Sequence, residues 1–199
     1  MLNRLTSFLY NNSNERKVRH LLPYLWDGAS VLDFGCGDGS MMHKLAHAGK
    51  KIKGAGTDVV DFDIRYKEIQ YRKITDRSIP FGDKTFDIVI SYFVYHHTDD
   101  PTHWFSECVR VGKRRIIVVE SIVRSPTELP WMSLLDWCCN AWKSKSVPMA
   151  YAYHTCDWWI ALAKRFNFTV SAVKDVESVP WFVPVGRSTL FILDRIPVK

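Results

Sequence analysis

The sequence predicts an α/β fold, a parallel sheet covered by helices, in one domain. Three observations carry this. Short runs rich in branched and aromatic residues (SVLDF, KIKGAGTDV, EIQYRKI, FDIVISYFV, RRIIVVES) alternate with stretches of helical periodicity. A glycine-rich turn, 30-SVLDFGCGDGS-40, stands where the first of these runs gives way to a helical pattern. Finally, 199 residues with 47% hydrophobic and 24% charged content suit one soluble domain with a real core.

Taken in order, residues 1–28 read as an N-terminal helical segment. Leu2, Leu5 and Leu9 recur at helical spacing, and Val18 to Leu25 carries Leu21, Leu22 and Leu25. After the glycine turn, 40-SMMHKLAHAG-49 predicts a helix with Met41, Leu45 and Ala48 on one face and Gly49 at its end. Between Asp58 and Tyr71 the segment VVDFDIRYKEIQ is too short and too polar-aromatic for a full crossover helix, so a short turn or loop is expected. Another helix is predicted over 101-PTHWFSECVRVG-112, with Pro101 in its first turn, Trp104, Phe105 and Val109 inward, and Gly112 closing it. Residues 125–154 read as a helical, lid-like insertion. Within it, 129-LPWMSLLDWCCNAWK-143 has a narrow polar stripe of Ser133, Asp136, Asn140 and Lys143, and is otherwise apolar, including Trp131, Trp137 and Trp142. A helix so lopsided sinks into the core, covers a pocket or rests on a lipid surface. Then 155-TCDWWIALAKRF-166 predicts a helix capped by Thr155, followed by strands in FTVSAV and STLFIL. There is no repeat and no second domain; residues 1–199 are expected to form a single unit.

The formal charge of +6 and a pI near 9.1 make an acidic partner conceivable. The charge lies in short runs, 15-ERKVRH-20, 62-FDIRYKEIQYRK-73 and 113-KRR-115, which are ordinarily solvated faces, so nucleic-acid binding is not expected. Five cysteines, Cys36, Cys108, Cys138, Cys139 and Cys156, suggest no disulfide framework and point to a reducing cytoplasm. His154 and Cys156 with the Cys138–Cys139 pair match no zinc spacing, and no metal site is expected. The N-terminus lacks the apolar run of a signal peptide, and no window approaches the ~20 apolar residues of a membrane span.

The glycine turn carries the chemistry. Glycines let backbone approach a ligand closely, and the helix beyond offers unpaired N–H groups. Asp58, in GAGTDVV about 20 positions on, stands where an acidic residue bonds a ribose hydroxyl pair. The dinucleotide fingerprint requires G-x-G-x-x-G, but here the third glycine, Gly39, comes one residue early and Ser40 takes the expected place. Asp33 just before the turn would repel a pyrophosphate and suits a ligand bearing an ammonium and a sulfonium.

VLDFGCGDG, GTDV, IPFGDKTFDIVISYFVYHHTDDP, RIIVVES and HTCDWWIALAKRFNFTV, in that order, resemble the class I S-adenosylmethionine-dependent methyltransferases, in particular the broad group that includes ubiquinone-biosynthesis and small-molecule methyltransferases. The resemblance runs from about Ala29 onward, with Asn167 where glycine is usual. It implies a Rossmann-like doubly wound sheet of seven strands, mostly parallel with an antiparallel last strand, and S-adenosyl-L-methionine as cofactor. It further implies that Gly35, Gly37 and Gly39 pass beside the methionine moiety and that Asp33 faces its amino group. Asp58 would hold the ribose, Val59 would pack on the adenine, and Asp76 would reach the adenine amino group. Ser91, Tyr92 and Phe93 would lie near the sulfonium.

Methyl transfer needs alignment of the acceptor and exclusion of water, and a hydroxyl or thiol acceptor also needs a base. His96 and His97, then His154, are the candidate bases, with Tyr95 as a polar positioner. SYFVYHH after the fourth strand differs from the Asn/Asp-Pro-Pro-aromatic element associated with base and glutamine amines. Trp26, Trp131, Trp137, Trp142, Tyr151 and Tyr153 are expected to form an aromatic lid over a small acceptor, apolar or aromatic. Two further readings remain open: a peripheral, lipid-directed methyltransferase with weak membrane-surface contact, and a non-catalytic cofactor-binding regulator.

Overall fold

The computed structural model describes residues 14–62, 64, 66–140, 152–178 and 187–197. The parts of the N-terminal segment, the lid-like insertion and the proline-rich turn that fall elsewhere, Leu2, Leu5, Leu9, Trp142 and Tyr151 among them, lie outside the described residues.

Seven strands form one sheet: β1 (Ser30–Phe34), β2 (Lys53–Asp58), β3 (Gln70–Lys73), β4 (Phe86–Tyr92), β5 (Gly112–Ile122), β6 (Phe168–Ser178) and β7 (Arg187–Arg195). Their spatial order is β3-β2-β1-β4-β5-β7-β6. The pairs β1–β2, β1–β4, β2–β3 and β4–β5 are parallel, whereas β7 runs antiparallel to both β5 and β6. The reversed strand is therefore the last one, slotted between β5 and β6.

The central strands are buried on both faces, so their residues read as continuous apolar runs and alternate between two cores. Leu32, Phe34, Val89, Ile116 and Val118 face one core, and Val31, Ile88, Ile90, Ile117 and Val119 face the other. The first core is closed by α3 (Pro101–Val111) and α5 (Cys156–Arg165). In α3, Trp104, Phe105, Cys108 and Val111 form the inward stripe, Pro101 opens the helix and the Asp100 side chain accepts from His103 N–H at 2.9 Å. Val109 is only partly buried against that core. In α5, Thr155 caps the first turn by accepting from Trp158 N–H at 3.3 Å. The second core is closed by α1 (14–21) and α2 (Ser40–Ala46), through Val18, Leu21, Met41, Met42 and Leu45. Pro23 stops α1, and Leu22–Tyr24 continue as one 3-10 turn. Helix α2 ends at Ala46, earlier than Gly49, which follows in a turn.

Two connections matter for the site. Between β2 and β3 the described residues form no helix, in line with the short polar-aromatic sequence there. The insertion after β5 contains α4 (Leu129–Asn140). No helix among the described residues is long and apolar enough to cross a membrane. Cys36, Cys108 and Cys156 are free thiols.

Candidate active site

The site lies at the C-terminal edge of β1, β2, β4 and β5, where the chain leaves four neighbouring parallel strands. The glycine turn after β1 hangs from the end of β2: Gly35 N–H donates to Thr57 C=O at 2.8 Å and Cys36 N–H to the same oxygen at 3.1 Å. Gly35 has φ +76°, and a Cβ there would stand 2.4 Å from Val94 Cγ2. The position thus requires glycine twice, for its backbone angle and for the approach of the segment after β4. Gly37 and Gly39 complete the turn, with Ile69 and Ile64 beside Gly39. Asp58 binds back onto this turn, its Oδ2 accepting from Gly37 N–H at 2.9 Å and its Oδ1 from Val60 N–H at 3.0 Å.

Asp33 is 1% exposed, and its Oδ2 has no hydrogen-bond partner among the described residues. Burial pushes its carboxyl up to about 8; the Lys17 ammonium pulls the other way, and Asp58 and Asp38 add to the rise. Burial also raises Asp58, against the N–H bonds of Val60 and Gly37. Three carboxylates converging on one glycine turn, one with an unpaired buried oxygen, form a receptacle for a cation and a poor one for phosphate. Burial likewise pushes the Cys36 thiol far up, which leaves it inert as a nucleophile.

Helix α1 closes over this edge. Asn14 Nδ2 donates to Ser40 Oγ at 2.7 Å, Lys17 Nζ lies 5.0 Å from the centre of the Tyr92 ring, and His20 Nδ1 lies 3.3 Å from the Tyr92 hydroxyl. Sequence reasoning singled out neither Asn14 nor Lys17. No local signal marks them, because their partners lie after β1 and β4.

At the end of β4, Ser91 and Tyr92 are buried and Ser91 Oγ has no partner among the described residues; just beyond, Phe93 takes φ +59°. Glu120, buried near the end of β5, organises the turn that leaves β4. Its Oε1 accepts from Val94 N–H and Tyr95 N–H, both at 2.7 Å, and its Oε2 lies 2.6 Å from His96 Nδ1. A carboxylate only accepts, so His96 Nδ1 carries a proton, and in the neutral ring the lone pair lies on Nε2. The His96 ring stacks on Tyr153 at 5.1 Å and lies 4.0 Å from the His97 ring. His154 is carried alongside by a bridge to Ile122, its ring stacked on Trp158 at 3.6 Å and its Nε2 buried without a partner among the described residues. Burial lowers its basicity, offset in part by Glu120, so it stays neutral. Tyr95, expected as a polar positioner, is instead fully buried in the core with its hydroxyl on Cys108 Sγ at 3.3 Å.

The structure thus gathers Asp33, the three glycines, Asp58, Ser91, Tyr92, His96, His97 and His154 at one edge. Val59 lies just past β2 and is 46% exposed. Asp76 sits in an exposed turn beyond the edge strand β3, its carboxylate accepting from Ser78 N–H at 2.9 Å. The aromatic lid needs correction. Trp26 precedes β1 and so lies at the opposite edge of the sheet, against the Arg115 guanidinium, in an open cleft of about 530 Å³ with Arg114 and Asp194. Trp131 and Trp137 are more than half exposed on α4, and of the expected lid aromatics among the described residues only Tyr153 is packed into the site.

A family described as "Methyltransferase domain" matches residues 32–119, from β1 to β5. An 87-residue stretch is 30% identical to a "probable S-adenosylmethionine-dependent methyltransferase" of Mycolicibacterium smegmatis, covering 42% of this chain and 34% of that protein. A 107-residue stretch is 28% identical to the ubiquinone biosynthesis O-methyltransferase of Rhizobium johnstonii, covering 50% of this chain and 43% of the relative. Residues 32–119 thus match a methyltransferase domain, and over that stretch the chain is similar to S-adenosylmethionine-dependent methyltransferases. The chain spans less than half the length of the curated relatives it matches. Its fold is shared with geranyl diphosphate C-methyltransferase of Streptomyces coelicolor (TM-score 0.72, 14% identity, 92% of this chain and 79% of that one). Magnesium protoporphyrin IX methyltransferase of Synechocystis, solved with S-adenosylhomocysteine bound, shares it too (TM-score 0.64, 17% identity, 94% and 84%).

The residues at this edge fit S-adenosylmethionine. The unpaired Asp33 oxygen answers an ammonium, and Asp58, on the far side of the same turn, is placed for hydroxyl groups. An open cleft of about 590 Å³ lined by Asp61, Phe62, Ile64, Tyr66 and Ile69 adjoins the turn on the side of Gly39, with room for a nucleoside.

Proposed function

We propose that this chain transfers a methyl group from S-adenosylmethionine to the hydroxyl of a small, largely apolar or aromatic acceptor, in the cytoplasm. The observation that carries the reading is the buried, unpaired carboxylate of Asp33 beside the glycine turn. S-adenosylmethionine supplies an electrophilic methyl group on a cationic sulfur, so the protein's task is placement and water exclusion. Asp33 holds the amino group, Lys17 stands near enough to Asp33 to take the carboxylate of the same amino acid, and Asp58 holds the ribose. Gly35, Gly37 and Gly39 leave space for the chain between them. Ser91 and Tyr92 border the reacting end.

His96, fixed by Glu120 with its lone pair on Nε2, takes the acceptor's proton. An aromatic acceptor is supported by the rings at this end, Tyr92, Phe93, His96 and Tyr153, and by the name of the ubiquinone-biosynthesis relatives. Incubation with S-adenosylmethionine and a panel of catechols and phenols should yield S-adenosylhomocysteine and the methyl ether. Cofactor binding without S-adenosylhomocysteine formation on any hydroxyl, amine or thiol acceptor would favour a regulator instead.

One observation favours a second reading, in which the acceptor is presented at a lipid surface. Trp131, Leu134 and Trp137 recur every third residue on α4 and are all exposed. Sedimentation with anionic liposomes at low salt decides it: a protein that stays in the supernatant does not use that face for lipid.

A further inference from the structure

Outside the active site the largest concentration of metal-ligating groups among the described residues is at the C-terminal end of α2. His43 and His47 are four residues apart and so project from the same side of that helix. Glu68 comes to meet them from the connection between β2 and β3, which has no helix of its own among the described residues. One donor atom from each of the three lies within 4.8 Å of the others. The two imidazole rings are 4.5 Å apart, and the His43 ring is buttressed by stacking on Tyr66 at 4.1 Å and 17°.

We propose that His43, His47 and Glu68 bind a divalent transition-metal ion of the zinc or nickel type, which fastens α2 to the β2–β3 connection. Two imidazoles and a carboxylate are a donor set of borderline softness that selects such ions over magnesium or calcium. His47 is already oriented for the role. Its Nδ1 lies 2.8 Å from the His43 carbonyl oxygen, and only an N–H can make that bond, so Nε2 keeps its lone pair. His43 Nδ1 faces Glu68 directly, a pair that in the metal-free protein shares a proton and in the metal-bound protein exchanges it for the cation. Zinc–ligand bonds of about 2.1 Å in a tetrahedron bring donor atoms to about 3.4 Å of one another. His47 and Glu68 are exposed side chains with the freedom to close that gap. Water would fill the remaining positions.

The placement gives the ion a structural consequence. Tyr66 and Glu68 lie between Ile64 and Ile69, which pack beside Gly39 and line the cleft next to the glycine turn. A cation at this point ties down the outer wall of that cleft without touching Asp33, Asp58 or His96.

The test uses the full chain without an affinity tag, titrated with Zn²⁺ alone in a calorimeter. The expectation is one ion per chain, with affinity reduced at least about tenfold in His47→Ala and in Glu68→Gln, and abolished in the His43→Ala/His47→Ala double variant. Amide exchange should slow across 61–69 on adding Zn²⁺ to the wild type only. Circular dichroism verifies that each variant is folded; His47→Gln, which keeps the ring's approximate bulk, replaces any variant that is not. No binding by the wild type, or binding that survives in the folded double variant, overturns the site and leaves an ordinary histidine–glutamate pair.

Discussion

The two edges of the sheet treat their carboxylates in opposite ways. At the N-terminal edge, Asp87 accepts from Ser30 N–H at 3.0 Å and from its hydroxyl at 2.7 Å, and Asp194 is gripped by Arg115 at 2.7 and 3.0 Å. Burial alone would raise both carboxyls, but these bonds and the nearby Lys113 and Arg115 charges hold them below the ordinary value. At the C-terminal edge burial prevails: Asp58 is raised despite its N–H bonds, and Asp33 reaches about 8. One edge is electrostatically complete. The other holds a buried carboxylate whose Oδ2 has no partner among the described residues, which is why we place the proposed function there and not in the basic cleft around Trp26. The glycines follow the same division: Gly28 and Gly35 share positive φ, yet a Cβ at Gly28 meets nothing within 4 Å and one at Gly35 meets Val94 at 2.4 Å.

The sharpest way to break this contrast is Asp33→Asn. Loss of one partner from a buried ion pair costs roughly 3–5 kcal/mol, so affinity for S-adenosylmethionine should fall about 150- to 4,000-fold in equilibrium dialysis. The same variant should be more stable than wild type. The Asp33 pKa is higher folded than unfolded, so folding takes up a proton between its ordinary 3.8 and about 8. Its contribution therefore worsens as pH rises through that window, then levels off. Asparagine removes the cost: the melting temperature should rise by about 5 °C or more at pH 8, by less at pH 5, and not at all below pH 3.8. For wild type, binding a cation releases the Asp33 proton, so cofactor affinity should climb with pH until about 8. An Asp33→Asn protein that binds the cofactor normally would refute the assignment.

Glu120→Gln comes next. The amide can still accept from Val94 and Tyr95, but it offers N–H to His96 Nδ1 and so moves the ring proton to Nε2. We expect kcat to fall about 100-fold with KM little changed, and the imidazole limb of the pH profile to vanish. Gly35→Ala should cost about 2–4 kcal/mol by denaturant unfolding, the backbone strain plus the collision with Val94, against about 1 kcal/mol for Gly28→Ala. The smallest effect belongs to the complete edge. Arg115→Met loses a partly exposed ion pair, about 1 kcal/mol of stability, and leaves cofactor affinity untouched. Because the Asp194 pKa is lowered in the fold, that stability is present at neutral pH and is lost as pH drops below the ordinary value of 3.8.

The features readable in the sequence were local. The strand–glycine–helix turn, Asp33 and Asp58 all sit at the ends of elements whose spacing announces them, and the weak helical pattern after Asp58 foretold the bare β2–β3 connection. The unreadable ones depended on which strands became neighbours. Glu120 looked like one more residue of a β5 run; it matters because parallel pairing with β4 sets it beside the backbone of Val94 and Tyr95. Trp26 was grouped with the site by residue type, although a residue just before a parallel strand lies at the edge opposite the loop that leaves it. Lys17 and Asn14 needed α1 folded back across the glycine turn before they meant anything. His43 and His47 were not paired at the sequence level, and Glu68 joins them only through the fold.

The position of β7 bears on how the molecule is made. Leu190, Phe191, Ile192 and Leu193 are buried in the middle of the sheet between β5 and β6, although they emerge from the ribosome after both. Until they arrive, β5 and β6 each expose an unpaired backbone edge and both cores lack the β7 side chains. A nascent chain stalled before residue 187 should therefore be a client for chaperones, and its binding turn, though already synthesised, should not yet hold a ligand.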